Sequence, residues 1–290
     1  MIIAIVGPTG VGKTKMSIEL AKRYNAEIIS SDSMQIYKKM DIGTAKVTEK
    51  EMGGIIHHMI DIKNVSEDYS VYEYQKDARK ILNELLEKKK NVIIVGGTGL
   101  YLKALLYNYE FKEYRNKKDF SSYSNEDLYK MVKVIDKDAK IHVNNRQRLE
   151  SFLNNHNQSI NTSSKMIYDA KIIGLTRPRD ELYDTINKRV DEMINEGLLN
   201  EAKYFYDNNV NSKAIKTAIA YKELYLYFDG KISLNEALDL IKQRSRNYAK
   251  RQYTWFNNQM NVKWFDINKD DFSKTIDEVI CYIENNKGNI

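Results

Sequence analysis

The sequence is poor in the residues that cross-link small secreted proteins and stiffen loops. Among its 290 residues there is one cysteine, Cys281, and there are two prolines, Pro8 and Pro178. A lone cysteine excludes an intrachain disulfide and a cysteine-based metal site, which is typical of the reducing cytoplasm. There is no run of about 18 apolar residues, so no membrane span is predicted. The apolar run 2–6 is too short for a signal peptide, and we expect a cytoplasmic protein.

The overall composition is that of a globular protein with a mild preference for polyanions. Hydrophobic residues make up 42% of the chain, enough for a buried core, and the formal net charge is +6. The length fits one large domain, or a core with a smaller unit inserted. A charged fraction of 30% is equally compatible with an ordinary solvated surface.

A glycine-rich segment near the start carries the strongest chemical signal. It follows the apolar run 2–6, precedes a helical pattern, and reads Gly7-Pro8-Thr9-Gly10-Val11-Gly12-Lys13-Thr14. It fits G-x-x-x-x-G-K-[ST], in which backbone N–H groups and a helix N-terminus surround a phosphate. Lys13 is suited to neutralising phosphate oxygens, and the Thr14 hydroxyl to binding Mg²⁺. A di- or triphosphate compound is therefore predicted to bind here, although this segment alone leaves its identity open.

Two more polar turns follow apolar strand patterns. Asp32-Ser33-Met34-Gln35 comes after 27–30, and Gly96-Gly97-Thr98 comes after 92–95. Ligands of open α/β sheets bind at the carboxyl ends of the strands, so these turns are expected beside the glycine-rich segment. The strand 92–95 ends in glycines rather than in the aspartate that often holds Mg²⁺ in ATPases and GTPases, which makes phosphate hydrolysis a poorer candidate.

The alternation of patterns predicts an α/β fold, a P-loop NTPase-like parallel sheet with helices on both faces. Five strands are predicted, at about 2–6, 27–30, 92–95, 171–175 and 262–266. Between the third and fourth the sequence is polar and irregular, which indicates a mainly helical insertion at 111–168. The core is then 1–110 and 169–290, with a helical arm at about 184–255.

Three stretches outside the glycine-rich segment invite a functional interpretation. Arg146 and Arg148 lie among amide side chains in the insertion, which suits phosphate and base contacts as well as a solvated helix start. Lys242, Arg246 and Lys250 recur every four residues, and Tyr248, Arg251, Tyr253 and Trp255 are interleaved with them. This stripe indicates a nucleic-acid face or simply a basic solvated surface. Adjacent His57 and His58 point to opposite sides of a strand, so a hydrogen-bonding role is favoured over a metal site.

Together these motifs resemble those of the tRNA dimethylallyltransferase (tRNA isopentenyltransferase) family. The resemblance extends from Ile2 to about Phe265 and rests on six segments in this order: GPTGVGKT, SSDSMQIYKKMDIGTAK, HHMIDI, IIVGGTGLY, GLTRPRDELYDTINKRVDEMINEGL and NYAKRQYTWF. The first segment alone would indicate only the P-loop superfamily. The second and the last are far more specific.

The resemblance implies transfer of a dimethylallyl group from dimethylallyl diphosphate to N6 of the adenosine 3′ to the tRNA anticodon, with release of diphosphate. It implies that the glycine-rich segment holds the donor's diphosphate, with Mg²⁺ at Thr14, and that the acceptor base is flipped out of its loop. Asp32 matches the family's general base, with a water-mediated Mg²⁺ contact as its alternative role. Lys13 would stabilise the leaving group, and Thr98 matches a hydroxyl near the reaction centre.

The expected partners are the tRNA anticodon stem-loop and dimethylallyl diphosphate, with no membrane, and the protein is expected to be a monomer. The residues assigned to tRNA contacts, from the resemblance and the basic stripe together, are Asp32, Ser33, Met34, Gln35, Thr98, Gln147, Arg148, Arg246 and Arg251. Arg177 and Arg189 are further candidates for the diphosphate or the RNA backbone. The chain departs from the family pattern at Ser151, where an arginine is expected, and at Ala220, where glycine is expected. The missing arginine predicts weaker tRNA binding.

Three other functions compete with this one. A small-molecule or nucleotide kinase would use ATP on the same glycine-rich segment. A GTPase would read guanine with N-K-x-D, which Asn116-Lys117-Lys118-Asp119 and Asn268-Lys269-Asp270-Asp271 both fit, but the chain has no D-x-x-G, so both matches are interpreted as chance. A non-catalytic RNA-binding module would leave the phosphate-binding segment without a purpose.

Overall fold

The computed structural model describes residues 1–109, 118–155 and 162–286. They divide into two compact units, the first formed by Met1–Tyr107 and the described residues from Met166 onward, and the second by the described residues between Asn108 and Lys165. Within these ranges no helix is long and apolar enough to cross a membrane.

The described residues form eight strands. They are β1 (Ile2–Val6), β2 (Ala26–Ser30), β3 (His57–His58), β4 (Asn91–Val95), β5 (Tyr107–Tyr109), β6 (Thr162–Met166), β7 (Ala170–Thr176) and β8 (Lys263–Asp266). The helices in the same ranges are α1 (Lys13–Tyr24), α2 (Glu49–Met52), α3 (Val71–Glu87), α4 (Gly99–Leu106), α5 (Asn125–Ile135), α6 (Arg146–Asn155), α7 (Arg179–Glu196), α8 (Leu198–Asp207), α9 (Lys213–Thr217), α10 (Tyr221–Phe228), α11 (Leu234–Gln259) and α12 (Phe272–Asn285).

Six of the strands build one sheet in the first unit, in the order β3-β2-β4-β1-β7-β8, and every pairing in it is parallel. The predicted α/β class and the five predicted strands are confirmed. The short β3 was not counted among them. The insertion at 111–168 was predicted to be mainly helical, and it contains the helices α5 and α6 together with β6, which pairs with β5 in a separate two-stranded sheet.

Both faces of the main sheet are covered, as the near-continuous apolar sequence of β1 requires. Ile2, Ala4 and Val6 pack into one hydrophobic cluster, and Ile3 and Ile5 into another. The first cluster includes residues of α3, α4 and α11, and the second includes residues of α1 and α12. β2, β4 and β1 are adjacent parallel strands. The loops that leave their carboxyl ends therefore meet at one edge of the sheet.

The second unit has a small core of its own. α5 and α6 pack together around Leu128, Val132, Leu149 and Leu153, which are all buried. Arg146, at the start of α6, donates hydrogen bonds to the carbonyl oxygens of residues 120 and 123. Arg146 therefore stabilises this unit, and the nucleic-acid role considered for it is not supported by its contacts.

Candidate active site

The glycine-rich segment joins β1 to α1 and forms a backbone cradle. Gly7 has φ 141°, and a Cβ at this residue would lie 2.5 Å from the carbonyl oxygen of Leu175 on β7, so only glycine fits. α1 begins after Gly12, which caps it without any side-chain hydrogen bond to the first turn. The N–H groups of that first turn are thus available to an anion, which the positive end of the helix dipole also attracts.

Lys13 lies inside this cradle. Its Nζ donates a 2.8 Å hydrogen bond to the carbonyl oxygen of Pro8. Burial lowers the pKa of Lys13 to about 8, an effect that Arg189 reinforces and that the Asp32 carboxylate opposes. The ammonium group is therefore poorly compensated, which suits it to binding an oxyanion that would restore its charge partner.

Asp32 and Thr98 stand on neighbouring turns, after β2 and β4. The Asp32 carboxylate accepts a 2.9 Å hydrogen bond from the backbone N–H of Met34 and a longer one from that of Gln35. Thr98 Oγ1 accepts a 3.0 Å hydrogen bond from the N–H of Ser33 and donates to the Ser33 hydroxyl. The structure thus brings the two polar turns together.

A loop at 41–46 closes another side of the site. Gln35 Nε2 donates to the carbonyl oxygens of Thr44 and Ala45, so its amide nitrogen is engaged within the protein. Glu201 on α8 accepts the N–H groups of residues 41, 42 and 43, at 2.8–3.0 Å, and the Tyr221 hydroxyl at 2.7 Å. The Glu201 carboxylate therefore holds three consecutive peptide groups of this loop in place. No local sequence pattern indicates this role of Glu201.

The two arginine candidates on the α7 side differ in position. Arg189 Nη1 approaches Thr9 Oγ1 at 3.4 Å, and the guanidinium interacts with the Asp32 carboxylate. Arg177 Nη1 instead donates to Thr185 Oγ1, and Arg177 does not line either of the cavities described below. Of the pair, Arg189 has the position for a contact with an anion in the cradle.

α11 contributes two residues that were not assigned a site role from the sequence. Gln252 Oε1 accepts the N–H of Thr9, and its Nε2 donates to the carbonyl oxygen of Gly97. The Tyr248 hydroxyl bonds to the side chains of Thr98 and Gln252, and burial raises the pKa of Tyr248 to about 12, with a further contribution from the Asp32 charge. Both residues lie in the NYAKRQYTWF segment, and their i, i+4 spacing places them on one face of α11.

Two adjoining cavities open on these groups. The first, of about 940 Å³, is lined by residues of the cradle, including Lys13 and Thr14, by Asp32 and by the 41–46 loop. The second, of about 310 Å³, has a more apolar wall and is lined by Ser33, Met34, Tyr248 and Arg251 among others. Residues common to both are Thr9, Asp32, Thr44, Ala45, Arg189 and Met193. Asp32 therefore stands where an anion-binding space meets a partly apolar one.

Two members of the basic stripe on α11 are engaged within the protein, whereas Lys250 and Arg251 are exposed. Lys242 forms a 2.6 Å ion pair with Asp191, and Arg246 Nη1 bonds to Asn187 Oδ1 at 2.6 Å, both on α7. Of the interleaved aromatics, Tyr253 packs on Trp264 but remains exposed, and Tyr248 lines the second cavity. Of the predicted arginines on α11, Arg251 lines the second of the two cavities.

The remaining predicted residues lie elsewhere. Gln147 and Arg148 are exposed near the start of α6, in the second unit. Asn116 and Lys117 of the first N-K-x-D match lie outside the described residues. In the second match the Asn268 side chain accepts the N–H groups of Asp270 and Asp271, so it serves as a local cap.

The histidines bond within the protein, as the sequence favoured. His57 Nδ1 is 2.9 Å from the carbonyl oxygen of Ile55, and His58 Nε2 is 2.8 Å from Glu27 Oε2. Across residues 1–109, 118–155 and 162–286 there is no group of three histidine, cysteine, aspartate or glutamate side chains suited to a metal ion. The donors beside the cradle, the Thr14 hydroxyl and the Asp32 carboxylate, fit a Mg²⁺ ion that draws most of its ligands from phosphate and water.

Residues 35–259 match the family model described as IPP transferase. A tRNA dimethylallyltransferase of Bacillus licheniformis is 47% identical over 92% of this chain and 90% of its own length. Another of Anoxybacillus flavithermus is 44% identical over 98% of this chain and 96% of its own length.

Solved structures give the same result. The full-length tRNA isopentenylpyrophosphate transferase of Bacillus halodurans superimposes with a TM-score of 0.79 at 45% identity, covering 98% of this chain and 95% of that one. A eukaryotic dimethylallyltransferase whose structures were determined acting on tRNA gives a TM-score of 0.81 at 25% identity, covering 98% of this chain and 78% of that one. The similarity thus extends over nearly the whole chain, with 44–47% sequence identity to the two bacterial relatives. The protein belongs to the IPP transferase family.

Proposed function

We propose that this protein transfers the dimethylallyl group of dimethylallyl diphosphate to N6 of the adenosine next to the tRNA anticodon on its 3′ side. The observation that carries the proposal is the position of Asp32 at the junction of the two cavities, with the anion cradle on one side. Relatives that are 44–47% identical carry the name of this activity. The absence of an acid at the end of β4 agrees with a phosphate group that is bound but not hydrolysed.

In this proposal the first cavity takes the diphosphate of the donor. The N–H groups at the start of α1, the Lys13 ammonium and the Arg189 guanidinium provide donors for its oxygens. Mg²⁺, held by Thr14 and phosphate oxygens, would supply further positive charge to the leaving diphosphate. Because these groups favour the charge that grows as the C–O bond breaks, they stabilise the transition state more than the intact donor.

The second cavity takes the acceptor adenine. Its wall includes Met34, Ile219 and Tyr248, which offer the apolar and aromatic contacts that a flipped base needs. The adenine amino group is a weak nucleophile, since its lone pair is delocalised into the ring. Asp32 lies between the cavities and accepts the proton that N6 loses as the new C–N bond forms, while the electron pair of the broken C–O bond leaves with diphosphate.

Exposed residues on α11 and on the second unit are the remaining candidates for contacts with tRNA. Arg251 borders the second cavity and is exposed, and its guanidinium lies 5.7 Å from the centre of the Tyr248 ring. Gln147 and Arg148 are exposed on the second unit, where they are free to meet RNA phosphates or bases. We further propose that the enzyme is cytoplasmic and acts as a monomer.

Transfer of label from dimethylallyl diphosphate to an unmodified tRNA, in the presence of Mg²⁺, tests this function. We expect label in the RNA fraction that depends on enzyme and is suppressed by excess inorganic diphosphate. A parallel reaction with ATP and nucleoside acceptors tests the alternative function, that of a small-molecule or nucleotide kinase. ATP consumption there, with no label in tRNA, would replace the proposed function by phosphoryl transfer.

A further inference from the structure

One buried side chain connects the anion cradle to the turn that carries Thr98. Gln252 projects from α11 and is 5% exposed. Its Oε1 accepts the Thr9 N–H at 2.8 Å, and its Nε2 donates to the Gly97 carbonyl oxygen at 3.0 Å. Both ends of the amide are therefore satisfied by backbone groups of two different loops, one after β1 and one after β4.

The fit at the second of these loops is tight. A Cβ on Gly97 would lie 2.0 Å from Gln252 Nε2, so the glycine is required for the amide to reach the carbonyl. The φ of Gly97 is not in the left-handed region, and the requirement is one of space alone. The Gly97–Gln252 contact is thus a matched pair, in which a small residue on the loop admits a long one from the helix.

From Gly97 the connection continues to the acceptor side of the site. The next residue is Thr98, whose N–H donates to the Ser31 carbonyl oxygen at 3.1 Å and whose Oγ1 accepts the Ser33 N–H at 3.0 Å. Asp32 lies between those two residues. A continuous series of hydrogen bonds therefore runs from Thr9 in the cradle, through Gln252, to the turn that presents Asp32.

We propose that Gln252 is a positioning residue for the transfer, an inference that rests on the function proposed above. It sets the separation between the donor's diphosphate and the acceptor's base by holding the two loops at one distance. It touches neither substrate, because both of its polar ends are used on the protein. Its loss should disturb the alignment of the reacting atoms, which is worth orders of magnitude in rate, more than it disturbs binding of the diphosphate itself.

Gln252→Glu separates this role from general stabilisation. A protonated carboxyl accepts the Thr9 N–H and donates to the Gly97 carbonyl, as the amide does. An ionised carboxylate still accepts but cannot donate, and it repels the carbonyl oxygen. Burial raises the pKa of a glutamate at such a site, and the pH at which the variant changes from the productive to the disrupted form is read from its activity profile.

The ionisable groups around this site are the same in the variant and in the wild type. They are Tyr248 on α11, Lys13 and Arg189 beside Thr9, and Asp32 on the turn joined to Thr98. These groups are common to both proteins, so the informative quantity is the ratio of variant kcat to wild-type kcat at each pH. That ratio reports the protonation of residue 252.

We expect Gln252→Glu to have a kcat about 10- to 100-fold below wild type at pH 8.5, with the ratio recovering by at least about fivefold toward pH 6. Calorimetry with inorganic diphosphate should give a Kd within about twofold of wild type. Gln252→Met, which cannot bond at either end, should show the loss of kcat at every pH and the same diphosphate affinity. Gln243→Glu, the same change at an exposed position of α11, is the control and should behave as wild type.

Several results would overturn the inference. An active Gln252→Glu enzyme whose ratio of variant to wild-type kcat does not change with pH would refute the inference. A Gln252→Met enzyme with wild-type kcat would also refute it. A loss of diphosphate affinity that matches the loss of kcat would assign Gln252 to the cradle alone. If the wild type itself transferred no dimethylallyl group to tRNA while binding diphosphate, the proposed function would fail instead.

Discussion

Lys13→Met is expected to stabilise the free protein while it weakens binding of the diphosphate. The pKa of Lys13 is lowered from 10.5 to about 8, mainly because burial removes water from the ammonium. At about 1.4 kcal/mol for each pKa unit, a charged Lys13 costs the folded state about 3 kcal/mol at pH 7. The residue is only half-buried, and methionine leaves the Pro8 carbonyl without its donor, which costs about 1 kcal/mol. A net gain of about 1–2 kcal/mol remains.

The pH dependence fixes the sign of this effect. The folded-state pKa lies below the unfolded one, so between pH 8 and 10.5 the unfolded chain binds more protons and wild-type stability rises with pH. Below pH 8 the full cost of the charge is present. The advantage of Lys13→Met should therefore be largest at pH 7 and should nearly vanish by about pH 9.5, where about 1.4 kcal/mol of the cost remains and offsets the lost hydrogen bond.

Urea denaturation of both proteins at pH 7.0 and 9.5, followed by circular dichroism, measures these differences. Calorimetry with inorganic diphosphate at pH 7 should show binding weakened by about 10- to 100-fold in the variant, the value of a charged hydrogen bond. Wild-type affinity should fall as the pH rises above 8, and that of the variant should not. A variant less stable than wild type at pH 7, or one with unchanged diphosphate affinity, would refute the assignment of Lys13 as a buried charge awaiting an anion.

Four further changes test other parts of the site. Asp32→Asn retains an acceptor for the turn but removes the base, so transfer should fall about 100-fold while diphosphate binding persists, and near-normal turnover would reject the role. Glu201→Gln weakens the hydrogen bonds to three backbone N–H groups. Thermal unfolding should therefore show a free energy of unfolding lower by about 1–2 kcal/mol, and the KM for the donor should rise. Unchanged values would contradict the role of this carboxylate. Ala220 has φ 87°, so Ala220→Gly should raise the free energy of unfolding by about 1 kcal/mol. Ala218 has φ −66°, so the control Ala218→Gly should lower the free energy of unfolding. Equal effects of the two substitutions would mean that no backbone strain is relieved at Ala220. Ser151→Arg should tighten tRNA binding about two- to fivefold at low salt, and a titration without gain would remove the reasoning from the missing arginine.

The sequence predicts best those parts of the fold whose secondary structure is determined by residues within one short segment. β1, the cradle and α1 follow each other within 24 residues, and their apolar, glycine and helical patterns do not depend on distant partners. The two-residue β3 has no such pattern, and among the described residues its strand pairing is with β2. β6 reads as polar and irregular because only its pairing with β5, more than 50 residues earlier, makes it a strand.

The contacts around the site show the same limit more sharply. The basic stripe indicated a nucleic-acid face or a solvated surface, but Arg246 and Lys242 contact Asn187 and Asp191 on a helix about 50–60 residues away, which a pattern within α11 does not reveal. Gln252 lies in a segment that drew attention for its arginine and aromatics. Its partners are 243 and 155 residues away, so its role follows only from the fold.

Mass spectrometry of nucleosides is the most direct test of the proposed function. Unmodified tRNA is incubated with the protein, Mg²⁺ and dimethylallyl diphosphate, then digested, and the same reaction is run with Asp32→Asn. We predict an adenosine that has gained one five-carbon unit on N6, located beside the anticodon by sequencing fragments, at a level that the variant strongly reduces. An intact tRNA with no such nucleoside, under conditions in which the protein binds diphosphate, would contradict the proposed transfer.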